Sequence, residues 1–191
     1  MPTSRRVLNL QERVMEIRPI DFPRDAPALH ELEIGFVTDC VYALRREPWS
    51  FALEEVRLPT PLTKQFVVKL DAGEVESALV ALAAWETSTL LGYAIVEREA
   101  WNRRAALRHF YVGAGGRRRG VGRALMQRTL AGLDPASVRL LWAETQNTNH
   151  PAIQFYRRMG FHLCGLDESL YDHPAPPETA LYFCREIDRT A

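Results

Sequence analysis

The clearest hydrophobic pattern lies in the middle of the chain. Three apolar runs, over 77–85, 90–99 and 106–112, are separated by turn-forming residues and predict three consecutive strands of a meander. Alternation over 15–20 predicts a strand ahead of them, ended by Pro19. These are the first to fourth predicted strands.

Helical spacing of apolar residues follows the meander. A helix is predicted from Val121 to about Ala131, with Gly132 at its C-cap. Asn149 is the expected N-cap of another helix, which carries Pro151 in its first turn and ends before the strands at the C-terminus.

Further strands complete an α/β pattern. The run over 138–143 predicts a fifth strand, and two last strands are predicted over 161–166 and 179–185. The strand–helix–strand unit over 106–144 predicts a right-handed crossover that makes the fourth and fifth strands parallel.

The pattern is weaker between residues 25 and 66. Asp25 is expected to cap a helix over 26–36. Residues 40–44 form a candidate strand, and the prolines at 48, 59 and 61 predict loop or short turns after it.

The composition is typical of one globular domain. Of the 191 residues 47% are apolar and 25% charged, and we assign residues 13–191 to one domain preceded by a leader over 1–12. No apolar run approaches the roughly 20 residues of a membrane span. Because the formal net charge is zero, neither nucleic acid nor a membrane surface is an expected partner.

The three cysteines, Cys40, Cys164 and Cys184, are far apart and not in metal-ligand spacing. An odd number of scattered cysteines is typical of reduced thiols in a cytoplasmic protein. The sequence therefore predicts no metal site.

The segment Arg117–Ala124 is the sharpest local motif, because it places glycine and arginine between a strand and a helix. Unpaired N–H groups and the positive dipole end at a helix N-terminus favour an anion, and Gly120 and Gly122 let the backbone approach it. A glycine turn with solvated arginines explains the segment about as well.

Other phosphate-binding motifs fit this segment poorly. A Walker loop needs Gly-Lys-Ser/Thr, whereas Gly122 is followed by Arg123 and Ala124. A dinucleotide fingerprint needs three glycines after the first strand of the fold, and this loop lacks that spacing.

The segment resembles the pyrophosphate loop of the GNAT acetyltransferases, Q/R-x-x-G-x-G/A, through Arg117, Gly120 and Gly122. A second element of that family is similar to Asn149-x-x-Ala152-x-x-Phe155-Tyr156 followed by Gly160-Phe161. The resemblance covers about 14–187 and is clearest from 90 onward. It implies an α/β (α+β) GNAT fold: a mixed, mostly antiparallel sheet of six or seven strands, with parallel, splayed fourth and fifth strands and about four helices.

Four further segments resemble the streptothricin acetyltransferase branch. They are Trp101-Asn102, Glu144-Thr145-Gln146, Gly165-x-Asp167-x-x-Leu170-Tyr171 and Glu178-x-Ala180-Leu181. That branch has an acidic pair in the fourth strand, where this chain has Arg108 and His109. The resemblance therefore supports acetyl transfer more strongly than it supports an antibiotic as the acceptor.

The resemblance implies that acetyl-CoA, the acyl donor, enters the gap between the splayed strands. The residues implied in its binding are Phe110, Tyr111, Val112, Arg117, Arg118, Arg119, Gly120, Val121, Gly122, Arg123, Ala124, Asn149, Ala152 and Tyr156. Backbone groups near Tyr111 would hold the pantetheine arm, and loop amides and arginine side chains would hold the pyrophosphate. Asn149 also has a purely structural interpretation as a helix cap.

Tyr156 is the implied general acid, since a phenol can protonate the departing thiolate. On periodicity alone it is equally a core tyrosine. Glu144 and His109 are both candidates for the general base, and each also has a structural interpretation, Glu144 as an ion-pair partner and His109 as a core histidine. Arg108, Asp167 and Tyr171 are expected near the acceptor.

Three functions remain open at this stage. The first is N-acetylation of a small-molecule amine such as a streptothricin-like antibiotic, the second is acetylation of a protein N-terminus or lysine, and the third is non-catalytic binding of an acyl-CoA. A closed wall built from 25–66 and 166–178, with Asp167, Glu168 and Asp172 facing inward, favours a small cationic amine, whereas an open groove favours a peptide. The superfamily makes a homodimer plausible, and the sequence does not show one.

Overall fold

A computed structural model of the protein describes residues 15–172 and 178–187, so the leader predicted over 1–12 lies outside the described residues. Nine strands and four α-helices are found in the described part. They are β1 Met15–Pro19, α1 Phe22–Glu31, β2 Ile34–Glu47, β3 Ser50–Phe66, α2 Ala72–Ser77, β4 Val80–Glu86, β5 Thr89–Glu99, β6 Arg104–Val112, α3 Val121–Ala131, β7 Leu140–Gln146, α4 His150–Arg158, β8 His162–Asp167 and β9 Ala180–Glu186.

Seven of the strands form one sheet in the order β1-β4-β5-β6-β7-β9-β8. The β6–β7 pair is parallel, and the other neighbours are antiparallel. This arrangement confirms the mixed, mostly antiparallel sheet, with the predicted fourth and fifth strands, β6 and β7, parallel to each other.

The β6–β7 pair separates after four residue pairs. Residues 104–107 of β6 pair with 140–143 of β7, and beyond them β6 continues only along β5 and β7 only along β9. The separation starts at Arg108, which has no Cα partner because the β5–β6 register shifts there. A bulge of this kind bends a strand and increases its twist, so the gap begins where the ladder is interrupted.

The helices beside the gap begin and end where their capping residues predicted. Helix α3 ends at Ala131, and the Gly132 amide donates to the carbonyl oxygens of Arg128 and Thr129 at 3.2 and 3.1 Å. In α4, the Asn149 side chain accepts from the Ala152 amide at 3.3 Å.

The helix predicted over 26–36 was misplaced. Helix α1 covers 22–31 with Asp21 at its N-cap, and Phe36 lies in β2 instead. Asp25 is buried within the helix, where the two guanidinium nitrogens of Arg18 donate to its carboxylate at 2.7 Å. The carboxylate also accepts from the amide of the N-cap residue Asp21 at 3.0 Å, so Asp25 bonds to the helix N-terminus from inside the helix while it pairs with β1.

The loops predicted after residue 44 are in fact one long β-hairpin, β2–β3, which pairs only with itself. Pro59 and Pro61 are accommodated because the register shifts opposite Thr38 and Cys40, and because a two-stranded sheet leaves outer edges where an N–H is not needed. Similarly, the strand predicted from residue 77 starts at Val80, since helix α2 occupies 72–77.

The hairpin is held against the end of β7. The amide of Tyr42 donates to the carbonyl of Asn147 at 2.9 Å, and the Asn147 side chain donates back to the Tyr42 carbonyl at 2.7 Å. These two bonds tie β2 of the hairpin to the residue that follows β7. Within the described ranges, no helix is both long and apolar enough to cross a membrane.

Candidate active site

The gap between β6 and β7 is lined by aromatic residues on both faces of the sheet. Phe110 stacks on Phe155 of α4, with ring centroids 5.3 Å apart. Tyr111 points to the opposite face, where it contacts Tyr93 and Phe66 at 5.5 and 6.3 Å. The edge of β6 that faces the gap has no strand partner among the described residues, so it can accept an extended ligand as an added strand does.

The turn before α3 opens the N-terminus of that helix. Gly120 is the N-cap with a φ of 84°, a left-handed conformation that favours glycine. The first intrahelical bond runs from the Ala124 amide to the Gly120 carbonyl at 3.0 Å. The three preceding amides, of residues 121–123, therefore lack intrahelical partners and can donate to an anion.

The arginines of this loop divide into two pairs. Arg117 donates to the carbonyls of Val112 and Gly35, and Arg119 donates to the Gly115 carbonyl at 2.8 Å and pairs with Glu86. These two side chains hold the loop in place rather than extending from it. The other two, Arg118 and Arg123, are exposed and make no hydrogen bond or ion pair within the described ranges, so the charge available to a phosphate comes from them.

Asn149 fits its structural interpretation as a helix cap, since its side-chain oxygen accepts from the Ala152 amide at the start of α4. Val121 is buried beneath the loop, at 2% exposure. A Cβ at Gly122 would lie 3.4 Å from the ring of Phe155, so the first turn of α3 packs against the start of the gap.

Tyr156 is enclosed by other aromatic rings. It is 6% exposed, and the rings of Phe155, Phe161 and Phe183 have centroids 5.8, 5.4 and 5.7 Å from its own. Burial, and to a lesser extent the charge of Glu144, raises the pKa of Tyr156. The phenol therefore keeps its proton at neutral pH, which suits a proton donor rather than a base.

Glu144 is partly buried on β7, and its carboxylate accepts a hydrogen bond from the Tyr171 hydroxyl. Burial raises the pKa of Glu144, while the Tyr171 bond and the positive charge of Lys64 lower it. The charge of Glu144 also contributes to raising the pKa of Tyr111 and Tyr156. The structure thus groups Glu144 with Tyr171, Tyr156 and Tyr111 at the gap.

His109 belongs to a different group. Its Nε2 lies 3.2 Å from Glu74 of α2, and its ring packs against Tyr93 and Tyr111 at 6.3 and 6.0 Å. Its Nδ1 is buried without a hydrogen-bond partner among the described residues. No hydrogen bond in the described part joins His109 to Glu144 or Tyr156, so the two candidate bases are separately placed.

The acidic residues expected to face the acceptor have partners elsewhere. Asp167 accepts from the amide and hydroxyl of Ser169, both at 2.7 Å, and Glu168 pairs with Arg46 of β2. Asp172 is exposed. Arg108 is half exposed at the bulge and donates to Glu97 at 2.6 Å.

A second carboxylate, which the sequence did not indicate as a site residue, lies near Glu144. It belongs to Glu178, which pairs with Lys64 of β3 and whose charge raises the pKa of Glu144. Glu178 occurs in a segment typical of the streptothricin branch, and Lys64 is one of only two lysines in an arginine-rich chain. The sequence therefore contained two signals for this pair, but it could not show that two residues 114 positions apart are in contact.

Two ion pairs bridge the hairpin and the C-terminal part of the chain. Arg46 pairs with Glu168, and Lys64 pairs with Glu178. Both links join the hairpin β2–β3 to residues that follow α4.

One group of potential metal ligands occurs among the described residues, although the sequence spacing predicted none. The ligand atoms of Cys40, Glu55 and His150 lie within 4.8 Å of one another. Two of the three are already hydrogen-bonded, because the Glu55 carboxylate accepts from the Tyr42 hydroxyl at 3.1 Å and lies 3.3 Å from Nε2 of His150. We interpret this group as a hydrogen-bonded contact between the hairpin and α4.

Comparisons with known proteins agree with this geometry. The model of the acetyltransferase (GNAT) family matches residues 39–161. A streptothricin acetyltransferase from Streptomyces lavendulae is 36% identical over 168 residues, which cover 84% of this chain and 89% of that protein.

Two solved structures share the fold over nearly the whole chain. A nourseothricin acetyltransferase superposes with a TM-score of 0.80 at 36% identity, covering 91% of this chain and 99% of that one. A candidate streptothricin acetyltransferase from Bacillus anthracis, in complex with acetyl coenzyme A, gives a TM-score of 0.78 with the same coverage. At 20% identity, the second likeness is one of fold alone.

Proposed function

The chain belongs to the GNAT acetyltransferase family and transfers an acetyl group from acetyl-CoA to an amine, and we propose that its acceptor is the primary amine of a streptothricin-like antibiotic. The observation that carries this proposal is the pair of carboxylates, Glu144 and Glu178, near the gap, where the Lys64–Glu178 ion pair ties the hairpin to the C-terminal part of the chain. Carboxylates favour a compact cationic amine as the acceptor.

In this proposal the donor lies in the gap between β6 and β7. The amides at the start of α3, with Arg118 and Arg123, bind the pyrophosphate. The open edge of β6 near Tyr111 binds the pantetheine arm. Phe110 and Phe155 form an apolar wall beside it.

The chemical step uses the group of residues around Glu144. The acceptor enters as an ammonium, and the Glu144 carboxylate takes its proton, directly or through water. The neutral nitrogen attacks the thioester carbonyl, the carbon–sulfur bond breaks, and Tyr156 donates its proton to the departing thiolate. His109 is the second candidate base, through the free Nδ1 of its ring.

The proposed location of the enzyme is the bacterial cytoplasm, where acetyl-CoA is present. The described cysteines support this location, because Cys40, Cys164 and Cys184 are all free thiols.

Free-thiol release from acetyl-CoA tests the function. The panel contains a streptothricin, simple diamines, and peptides with a free N-terminus or a lysine. We expect the largest kcat/KM for the antibiotic. A preference for peptides would replace the proposal with protein acetylation, and acetyl-CoA binding without thiol release for any amine would indicate a binding module.

A further inference from the structure

The ion pair between Lys64 and Glu178 lies at the acceptor side of the gap, and the proposed chemistry does not use it. Glu178 is 9% exposed, and its second oxygen accepts from the Thr148 hydroxyl at 2.7 Å. Its carboxylate is therefore fixed from two sides. Lys64 is one-quarter exposed and comes from the hairpin, so the pair joins two separate parts of the wall.

Aromatic rings connect this pair to the gap. The Lys64 ammonium lies 5.7 Å from the centroid of the Phe66 ring, and Phe66 packs on Tyr111 of β6. A cation over an aromatic face is attracted to its negative quadrupole. This part of the site is thus suited to an ammonium, and a side chain of the protein itself supplies one.

The charges of Lys64 and Glu178 both act on Glu144, with opposite signs. We propose that Lys64 is a specificity-determining residue of the acceptor site, because its ammonium is bound to Glu178 and leaves the Glu144 carboxylate to an incoming amine. This inference rests on the proposed function, since it concerns the acceptor of that reaction.

The inference fixes the charge that an acceptor must bring. The Glu144 carboxylate beside the Lys64–Glu178 pair favours an acceptor that brings an ammonium. Loss of Lys64 makes the site more negative by one charge, and Glu144 then holds its proton more tightly. Without the Glu178 charge, the Lys64 ammonium repels the acceptor and favours the ionised form of Glu144.

The pH profile can follow Glu144 because the tyrosines around it keep their protons near pH 7. The described groups whose charges are coupled to Glu144 are Lys64 from β3, Tyr111 from β6, Tyr156 from α4, Tyr171 after β8, Glu178 before β9 and Tyr182 from β9. The pKa of each of these four tyrosines is raised, chiefly by burial, so the tyrosines stay neutral near pH 7.

The test compares kcat/KM against pH for K64M, E178Q and the double variant. In K64M the acidic limb moves to higher pH by about one unit, the low end of the effect expected for a nearby opposite charge. In E178Q it moves to lower pH and the acceptor KM rises, whereas the double variant returns towards the wild type because the net charge is restored. K69M is the matched control, since Lys69 is the other lysine and is exposed.

The outcomes separate this inference from the proposed function. If the wild type acetylates the amine and the K64M profile coincides with it, or if the double variant shifts further than either single one, the inference is wrong and the function stands. If the wild type is inactive with every amine, the Glu144 carboxyl is titrated by ¹³C NMR, assigned by difference with E144Q. An unchanged Glu144 pKa in K64M would then overturn the inference. Melting curves and acetyl-CoA affinity, measured on each variant, verify that the fold and the donor site are intact.

Discussion

The donor side and the acceptor side of this molecule are built from different kinds of contact. The donor side, from β6 to α4, is a continuous stretch of chain whose turns and helix caps are set by neighbouring residues. The acceptor side combines the hairpin β2–β3 with residues after β8, and ion pairs such as Lys64–Glu178 connect them across 114 positions. Local contacts therefore build the proposed acetyl-CoA site, and long-range contacts build the proposed acceptor site.

This difference predicts that the largest effects come from the donor loop. Gly120→Asp and Gly122→Asp should abolish acetyl-CoA binding, because a carboxylate replaces open backbone where the pyrophosphate belongs. Asp is favourable near a helix N-terminus, so α3 should still form, but only Gly120→Asp also strains a residue with a φ of 84° and should lower the melting temperature. Calorimetry and thermal melting on the same samples measure both effects.

Gln127→Asp is the matched control, because it places the same carboxylate on an exposed position of α3, away from the loop. Its acetyl-CoA affinity should equal that of the wild type. Unchanged affinity in both glycine variants would mean that the loop is only a turn.

The next largest effect is expected at Tyr156, the proposed proton donor between the donor side and the acceptor side. Tyr156→Phe should lower kcat by about 10²–10⁴-fold with little change in acetyl-CoA affinity, which is the usual contribution of a positioned acid. The phenyl ring is retained, so packing against Phe161 and Phe183 persists and the free energy of unfolding should change by about 1 kcal/mol or less. The alkaline limb of the pH profile should weaken, and the acidic limb should stay.

Single-turnover kinetics are needed here, because product release often limits kcat. Tyr93→Phe is the control. Tyr93 is a buried tyrosine of β5, and burial raises its pKa as it does that of Tyr156. A Tyr156→Phe enzyme with the wild-type single-turnover rate would return Tyr156 to a core role.

The sequence predicted the secondary structure of the donor side well because its signals are local. Gly132, Asn149 and Pro151 each act within one helical turn, and the helix ends they predicted are correct. Asp25 misled because it bonds to the helix N-terminus and to Arg18 from inside the helix, and does not precede the helix as its cap. The hairpin was missed because two prolines and many charged residues mask a pair of strands whose buried, alternating positions are confined to residues 34–40.

Glu144→Gln probes the acceptor side with a smaller kinetic effect and a distinctive dependence of stability on pH. Loss of a general base should lower kcat by about 10²-fold and remove the acidic limb. Burial raises the pKa of Glu144 in the folded protein, so between the unfolded and folded pKa values the folded state binds more protons, and stability falls as pH rises through that window.

Glutamine removes that dependence, so Glu144→Gln should gain stability relative to the wild type as pH rises above the ordinary Glu pKa of about 4.3. Chemical denaturation across this range measures it. Full activity in Glu144→Gln would transfer the base role to His109, and His109→Asn would then be the variant that loses the acidic limb.

The smallest expected effect is that of metal removal, and it separates the two sides most sharply. At the donor side, helix amides and the exposed Arg118 and Arg123 provide the positive potential that a metal ion supplies in many nucleotide sites. Acetyl-CoA affinity measured by calorimetry should therefore be the same with and without a chelator.

The group Cys40, Glu55 and His150 offers the described chain's one set of close ligand atoms, and it joins the hairpin to α4. If an ion mattered there, a chelator would loosen the hairpin and raise the acceptor KM while leaving acetyl-CoA affinity unchanged. Because Glu55 and His150 are already held by each other and by Tyr42, we expect neither quantity to change. Loss of acetyl-CoA binding on chelation would contradict the description of the donor loop, and a rise in acceptor KM that zinc reverses would show that the acceptor side depends on an ion.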